Sequence, residues 1–258
     1  MTQFKPLSSM VTPRFAEVAT FFRLPIEKDL SKLDYCICGV PWDGGTTNRP
    51  GARHGPREIR SASSLVRSYH PVSLKSPYDI CNVADIGDCS VNPADLSDSL
   101  SKIEQFYKKI SESNTIPISI GGDHLISLPI LRGLKDKKPV GLFQFDSHSD
   151  TWDTYFGDFK YTHGTPFRRA IEENLIDPKR YVMLGIRGSL YDPDDLTWAR
   201  QQGVTIITID EYYEMGFKKC VEKIYDVLDG IPVYFTFDID GIDPTFAPGT
   251  GTPEVGGF

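Results

Sequence analysis

Short apolar runs alternate with segments of helical periodicity along most of this chain. Apolar runs predict strands at residues 35–40, 83–86, 115–120, 140–145, 181–186, 204–209 and 231–240. Helical spacing of apolar residues predicts helices at 56–69, 93–113, 126–134, 167–174, 194–202 and 217–228. Strands that are apolar on both faces and alternate with helices predict a parallel sheet covered on both sides. In such α/β sheets, ligands bind beyond the carboxyl ends of the strands.

The N-terminal part of the chain lacks this alternation. Residues 1–32 are rich in Pro and Phe, and we interpret them as an arm lying over one α/β domain that spans residues 33–258. A formal net charge of −7 disfavours nucleic acid or an anionic membrane as a partner. The five cysteines lack metal-site or disulfide spacing, which predicts reduced thiols and a cytoplasmic location. No signal peptide and no apolar run long enough to span a membrane is expected.

Three of the predicted strands end in clusters of chelating side chains. The clusters contain His124; Asp146, His148 and Asp150; and Asp238 and Asp240. In an extended segment, residues at every second position share one face, so the members of each cluster are expected to point together. If the strands are parallel, their carboxyl ends lie on one edge of the sheet, and the clusters converge there.

Four clustered carboxylates would repel one another and take up protons unless cations neutralise them. Two imidazoles and four carboxylates favour Mn²⁺ over structural zinc, which prefers a closed set of Cys and His. A pair of such ions ionises water at neutral pH and so supplies a nucleophile. Each motif alone is also explained by helix caps and turns. Their occurrence at three strand ends of one α/β pattern favours the metal site.

Five segments of the chain resemble the ureohydrolases, the family of arginase and agmatinase. They are GGDH (121–124), FDSHSD (145–150), FDIDGIDPTFAPGTGTPE (237–254), THGTPFRRA (162–170) and GARHGPREIR (51–60). The resemblance spans nearly the whole chain and points to the agmatinase and guanidinobutyrase branch. It implies a three-layer α/β/α domain with a mostly parallel, eight-stranded sheet, and assembly into trimers or hexamers. It also implies two Mn²⁺ per subunit and hydrolysis of a guanidino group to urea and an amine.

The same resemblance implies roles for individual residues. One manganese would be held by His124, Asp146, Asp150 and Asp238, and the other by His148, Asp146, Asp238 and Asp240. Asp150 would also accept a proton and pass it to the leaving amine. His163 would assist proton transfer or bind substrate, and its position on a glycine-containing loop suits a proton relay. Trp152 is expected at the wall of the cleft, where it either stacks on a guanidinium or simply packs.

The substrate is expected to be a linear guanidino compound. Agmatine, giving putrescine and urea, is the leading candidate, and 4-guanidinobutanoate or another guanidino acid is the alternative. An amine tail requires a carboxylate in the pocket, and Asp153 and Asp158 in the predicted tail-binding loops (151–162 and 187–195) could supply one. Two other classes stay open. One is a non-catalytic relative, and the other is a zinc amidohydrolase similar to histone deacetylases, whose single-metal ligand pattern fits less well.

The sequence departs from the family pattern in two places. Family members continue beyond GTGTPEVGGF with a helix, an interior strand and a glutamate that grips the guanidinium. We therefore expect a truncated chain that is poorly folded and weakly active or inactive alone, because a missing interior strand exposes unpaired edges. Ser147 and Ser149 replace the Ala and Thr that the family often has. By strand alternation both are expected to point away from the metals.

Overall fold

The computed structural model describes residues 4–135 and 138–258, which fold into two compact units. Unit 1 comprises the chain up to Asp43 together with Gly51–Gly122. Unit 2 comprises Gly44–Pro50 together with Asp123–Phe258. All strand pairs within the named strands are parallel, as the alternation of strands and helices predicts.

Unit 1 is built on a three-stranded parallel sheet. Its elements are β1 (Tyr35–Val40), α1 (Gly55–Ala62), β2 (Val83–Asp88), α2 (Leu96–Ser111) and β3 (Ile116–Gly121). The strand order is β2-β1-β3, so β1 is the central strand and is buried along nearly its whole length. Phe21 and Leu24, from the N-terminal segment, pack with Ile37 and Val83 in the core of this unit.

Unit 2 carries a four-stranded parallel sheet in the order β6-β5-β4-β7. Its elements are α3 (Ser127–Gly133), β4 (Val140–Phe145), α4 (Pro166–Glu172), β5 (Ile176–Ile186), α5 (Thr197–Gln202), β6 (Thr205–Thr208), α6 (Ile209–Met215), α7 (Phe217–Leu228) and β7 (Val233–Phe237). Leu128 of α3, Leu142 of β4, Phe167 of α4 and Tyr181 of β5 are fully buried in one apolar cluster. This cluster fixes the helices against β4 and β5.

The register of β4 and β7 places their carboxyl ends side by side. Phe145, the last residue of β4, is paired with Phe237, the last residue of β7, and the two rings stack with centroids 4.6 Å apart. The Asp238 backbone N–H donates to the Phe145 carbonyl over 2.8 Å. The chains that leave these strands, beginning with Asp146 and Asp238, therefore start as neighbours at one edge of the sheet.

All the predicted strands are present, but some helix and strand bounds differ from the prediction. Helix α1 ends at Ala62 rather than at residue 69, and β5 begins at Ile176 rather than at 181. Helix α6 was not predicted, because it follows β6 without a loop. Its start is fixed by a capping box in which Thr208 and Glu211 bond each other's backbone N–H groups. Among the described residues, no helix has the length and apolar character needed to cross a bilayer.

Candidate metal centre and active site

The first group of chelating atoms surrounds Nδ1 of His124. His124 begins a short 3₁₀ helix, and its Nδ1 lies 2.7 Å from Asp150 Oδ2, 3.1 Å from Asp146 Oδ2 and 3.2 Å from Asp238 Oδ2. This nitrogen is buried and makes no hydrogen bond. Its lone pair and three carboxylate oxygens thus converge on one point, which is the arrangement that a cation requires.

The second group joins Asp146, His148 and Asp240. His148 Nδ1 lies 3.1 Å from Asp240 Oδ2 and 3.8 Å from Asp146 Oδ1. Ligand atoms of these three residues lie within 4.8 Å of one another, and those of His124, Asp146 and Asp150 do likewise. Asp146 belongs to both groups, so it is placed to bridge two ions.

The charges in this cluster need compensation. Burial raises the pKa of Asp146 well above its ordinary value, and the neighbouring Asp150, Asp240 and Asp238 carboxylates raise it further. Burial lowers the pKa of His148, but its contact with Asp240 outweighs this and raises that pKa to about 10. A buried carboxyl group that retains its proton, beside an imidazole that gains one, indicates a site short of positive charge. Two divalent cations would supply that charge, and this oxygen-rich donor set suits them.

Neutral side chains form hydrogen bonds that orient the chelating residues. Nε2 of His124 lies 2.8 Å from the Thr236 hydroxyl on β7, which leaves Nδ1 free to face the carboxylates. The buried Gln144 amide donates to Asp146 Oδ2 over 2.7 Å, and the Tyr181 hydroxyl donates to the carbonyl oxygen of the same amide. Polar residues buried in otherwise apolar strands are the sequence signal that could have identified Thr236 and Gln144.

A cavity of about 390 Å³ opens over the chelating residues. His163 and Trp152, the residues expected to act as a proton relay and to form the cleft wall, both line it. Nε2 of His163 accepts a hydrogen bond from the Thr47 backbone N–H over 3.1 Å and another from the Thr47 hydroxyl over 2.7 Å. Burial lowers the pKa of His163 below its usual value. The imidazole is therefore held neutral with its proton on Nδ1.

The sequence of this chain matches a known protein family over most of its length. The model of the Arginase family matches residues 33–258. The chain belongs to the arginase family. It is 54% identical to a guanidinopropionase and 44% identical to a guanidinobutyrase, both from Pseudomonas aeruginosa. These alignments cover 98% of this chain in each case, and 80% and 81% of the two relatives. The structure of a proclavaminate amidino hydrolase from Streptomyces clavuligerus superimposes with a TM-score of 0.91 at 39% identity, covering 96% of this chain and 82% of the other.

These findings confirm that the chain has the arginase fold and is a hydrolase of the ureohydrolase type. They also confirm the recognition of the family from its motifs. The structure brings together the six residues predicted to hold metal, and it places Asp150 beside His124. The assignment of single residues to single roles stays a prediction, as does the description of residues 33–258 as one domain.

The strand-alternation argument brought these residues together through the wrong geometry. Strand β4 ends at Phe145, and residues 146–150 form a turn in which the His148 N–H donates to Asp146 Oδ1 over 2.7 Å. Asp150 has a left-handed backbone with φ 50°, and Asp238 caps the 3₁₀ helix Ile239–Gly241. The prediction that Ser147 points away from the metal ligands is accordingly wrong. Its hydroxyl donates to Asp240 Oδ1 over 2.6 Å.

The two loops predicted to bind the substrate tail do reach the cavity. Residues 151–162 contribute Trp152, Tyr155 and Phe156, and residues 187–195 contribute Ser189, Leu190 and Tyr191. Two further segments were missed, at residues 47–48 and 252–254, because only the folded chain brings them to the site. Asp153 was considered as a partner for an amine tail. It instead forms an ion pair with Arg169, with 2.7 Å between Asp153 Oδ1 and Arg169 Nη2.

Proposed function

We propose that this protein hydrolyses the guanidino group of a small linear compound to urea and an amine, with two Mn²⁺ ions at the described cluster. The convergence of two chelating groups that share Asp146, beneath a cavity lined by His163, carries the proposal. A non-catalytic relative or a single-zinc amidohydrolase accounts less well for two complete groups. The names of the relatives support the same reaction class.

Each ion has a proposed ligand set. One would be held by His124, Asp146, Asp150 and Asp238, and the other by His148, Asp146, Asp238 and Asp240. When bound, the two ions would lower the pKa of water so that it ionises near neutral pH. Side chains of the protein would carry out proton transfer and substrate binding.

Proton movement is assigned to Asp150 and His163. The Asp150 carboxylate lies at the floor of the cavity, where it would accept a proton and deliver it to the departing amine nitrogen. His163 is neutral with its proton on Nδ1, because Thr47 occupies Nε2. That N–H can donate to the substrate at the reacting centre.

The tail of the substrate would extend between aromatic and neutral polar side chains. The rings of Tyr155 and Tyr191 lie 6.3 Å and 5.4 Å from that of Trp152. Among the described lining residues, the only carboxylates are Asp150, Asp238 and Asp240 of the chelating set and Glu254. Glu254 Oε1 lies 3.5 Å from His148 Nε2, so this carboxylate lies beside the second chelating group.

These contacts favour a guanidino acid with a short tail. Its carboxylate would meet neutral donors such as Asn48 and the tyrosine hydroxyls, and the two similar relatives are named for guanidino acids. Agmatine, preferred from the sequence, is the second candidate. The lining contains no Lys or Arg among its described residues, and three aromatic rings can bind an ammonium through their faces.

Urea release from the Mn²⁺-loaded protein tests the proposal. The panel comprises 3-guanidinopropanoate, 4-guanidinobutanoate, agmatine and arginine. We expect urea from one or both guanidino acids, and a preference for agmatine would transfer the assignment to the second candidate. No urea from any of the four, in protein shown to bind two ions per chain, would contradict the proposed reaction.

A further inference from the structure

Arg187 lies at the carboxyl end of β5, where the chain turns towards the cavity. It is not in the chelating groups, and none of the ion pairs among the described residues includes it. Its guanidinium instead contacts backbone carbonyls from three separate segments of unit 2. These segments are the end of β5, the turn after β7 and the strap, which we define as residues 252–258.

The hydrogen bonds use every donor of the side chain. Nη2 donates to the Asp240 carbonyl over 2.6 Å and to the Glu254 carbonyl over 2.8 Å. Nη1 donates to the Gly241 and Gly185 carbonyls over 3.1 Å and 3.3 Å, and Nε donates to the Val255 carbonyl over 3.1 Å. A guanidinium has five N–H donors in a rigid plane, and here each has its own acceptor. A lysine ammonium, with three donors, could not replace it.

The residues joined in this way face the second chelating group. Asp240 is one of its ligands, and its carboxylate lies 3.1 Å from His148 Nδ1. Glu254 contacts the opposite nitrogen of the same imidazole over 3.5 Å. A carboxylate on the far nitrogen of a ligating histidine orients the ring and increases its basicity. Through one side chain, the backbones on both sides of His148 are therefore held at a fixed separation.

We propose that Arg187 is a positioning residue that fixes the Asp240 turn to the strap and thereby sets the affinity of the second metal ion. This inference rests on the proposed two-metal site. Asp243 anchors the strap independently, because its carboxylate accepts the Gly256 N–H over 2.7 Å. Loss of Arg187 should therefore loosen Asp240 and Glu254 without releasing the whole segment.

The test compares Mn²⁺ binding to metal-free protein by titration calorimetry in the wild type, Arg187→Met and Arg187→Lys. Residues that support a metal ligand from behind typically change metal affinity by about 10- to 100-fold. We expect a loss of that size for one ion in Arg187→Met, a smaller loss in Arg187→Lys, and a change below about threefold for the other ion. The ion affected should be the one that is also lost in Asp240→Asn.

Arg180→Met is the matched control. Arg180 lies on the same strand and also donates to a backbone carbonyl, that of Val227, over 2.8 Å, but it has no contact with the chelating residues. Equal weakening of both ions in Arg187→Met, no weakening, or the same loss in Arg180→Met would overturn the inference. A wild-type protein that binds no Mn²⁺ would instead contradict the proposed metal site itself. If Arg187→Met does not fold, Arg187→Lys alone decides between selective and general loss.

Discussion

Replacing Thr236 by Val should weaken the binding of the first metal ion selectively. Thr236 is buried on β7, and its hydroxyl is the partner of His124 Nε2 at 2.8 Å. Once Nδ1 is committed to a cation, the single proton of the neutral ring must reside on Nε2. Valine has nearly the shape of threonine but cannot accept that hydrogen bond.

The size of the effect follows from what the bond does in each state. Burial lowers the pKa of His124, but its contacts with Asp146, Asp150 and Asp238 outweigh this and raise the pKa well above its ordinary value, so in the metal-free protein Nε2 also carries a proton. Thr236→Val then leaves a buried N–H unpaired in both states, at a cost of about 1–3 kcal/mol. Affinity responds to the lost orientation of the ligating ring, and removing such a partner typically lowers metal affinity by about 10- to 100-fold.

Calorimetric titration of metal-free protein with Mn²⁺ measures this affinity directly. Thr236→Ser keeps the hydroxyl and is the matched control, with an expected change below about threefold. The metal-free Thr236→Val protein should also melt below the wild type, because the unpaired N–H is present there too. A Thr236→Val protein that binds both ions as the wild type does would refute the reasoning. Equal losses in the Ser and Val variants would show that packing, rather than the hydrogen bond, is responsible.

Three further changes test other parts of the description. Asp146→Ala should lower the content of both ions measured by atomic emission, because Asp146 belongs to both chelating groups, and two retained ions per chain would contradict the shared ligand. His163→Ala should decrease kcat by about 10²- to 10⁴-fold with metal content unchanged, as expected for a proton-transfer residue, and loss of metal would point to a structural role. Asp85→Asn should destabilise the protein by about 3 kcal/mol at pH 7, since it breaks a buried pair with Arg60 that has N–O distances of 2.8 and 3.0 Å. Burial raises the pKa of Asp85, but the contact with Arg60 outweighs burial and lowers this pKa below its ordinary value. The ion pair therefore stabilises the fold above about pH 4, and its contribution is lost as the pH falls further. In urea unfolding, the difference in stability between wild type and Asp85→Asn should accordingly shrink below about pH 4.

The strands could be predicted because each is a short apolar run with a clear boundary. Residues 140–145 are one example, and β4 has those bounds. The chelating residues could be predicted because they follow such strands, and parallel strands bring their ends together. Helix α6 escaped prediction because nothing in the composition separates it from β6. The start of α6 depends on the local bond between Thr208 and Glu211.

The local conformation of the metal site could not be predicted from periodicity. Alternation assumes that a strand continues, but the chain turns at Asp146, and the left-handed backbone of Asp150 returns its side chain towards His124. Side chains from distant parts of the sequence then complete the site, as Thr47 does for His163. Only the fold determines such contacts, so Thr47 and Arg187 carry no local signal of their roles.

The supporting contacts divide the metal centre into a shared part and two separate parts. Gln144 and Tyr181 orient Asp146, which belongs to both chelating groups. Thr236 supports His124, and Arg187 supports the turn that carries Asp240 together with the strap. If the two ions bind as this geometry indicates, loss of Thr236 and loss of Arg187 should weaken different ions, whereas loss of Asp146 should weaken both. A single site, or two ions held by one undivided cluster, would give the same pattern for all three variants.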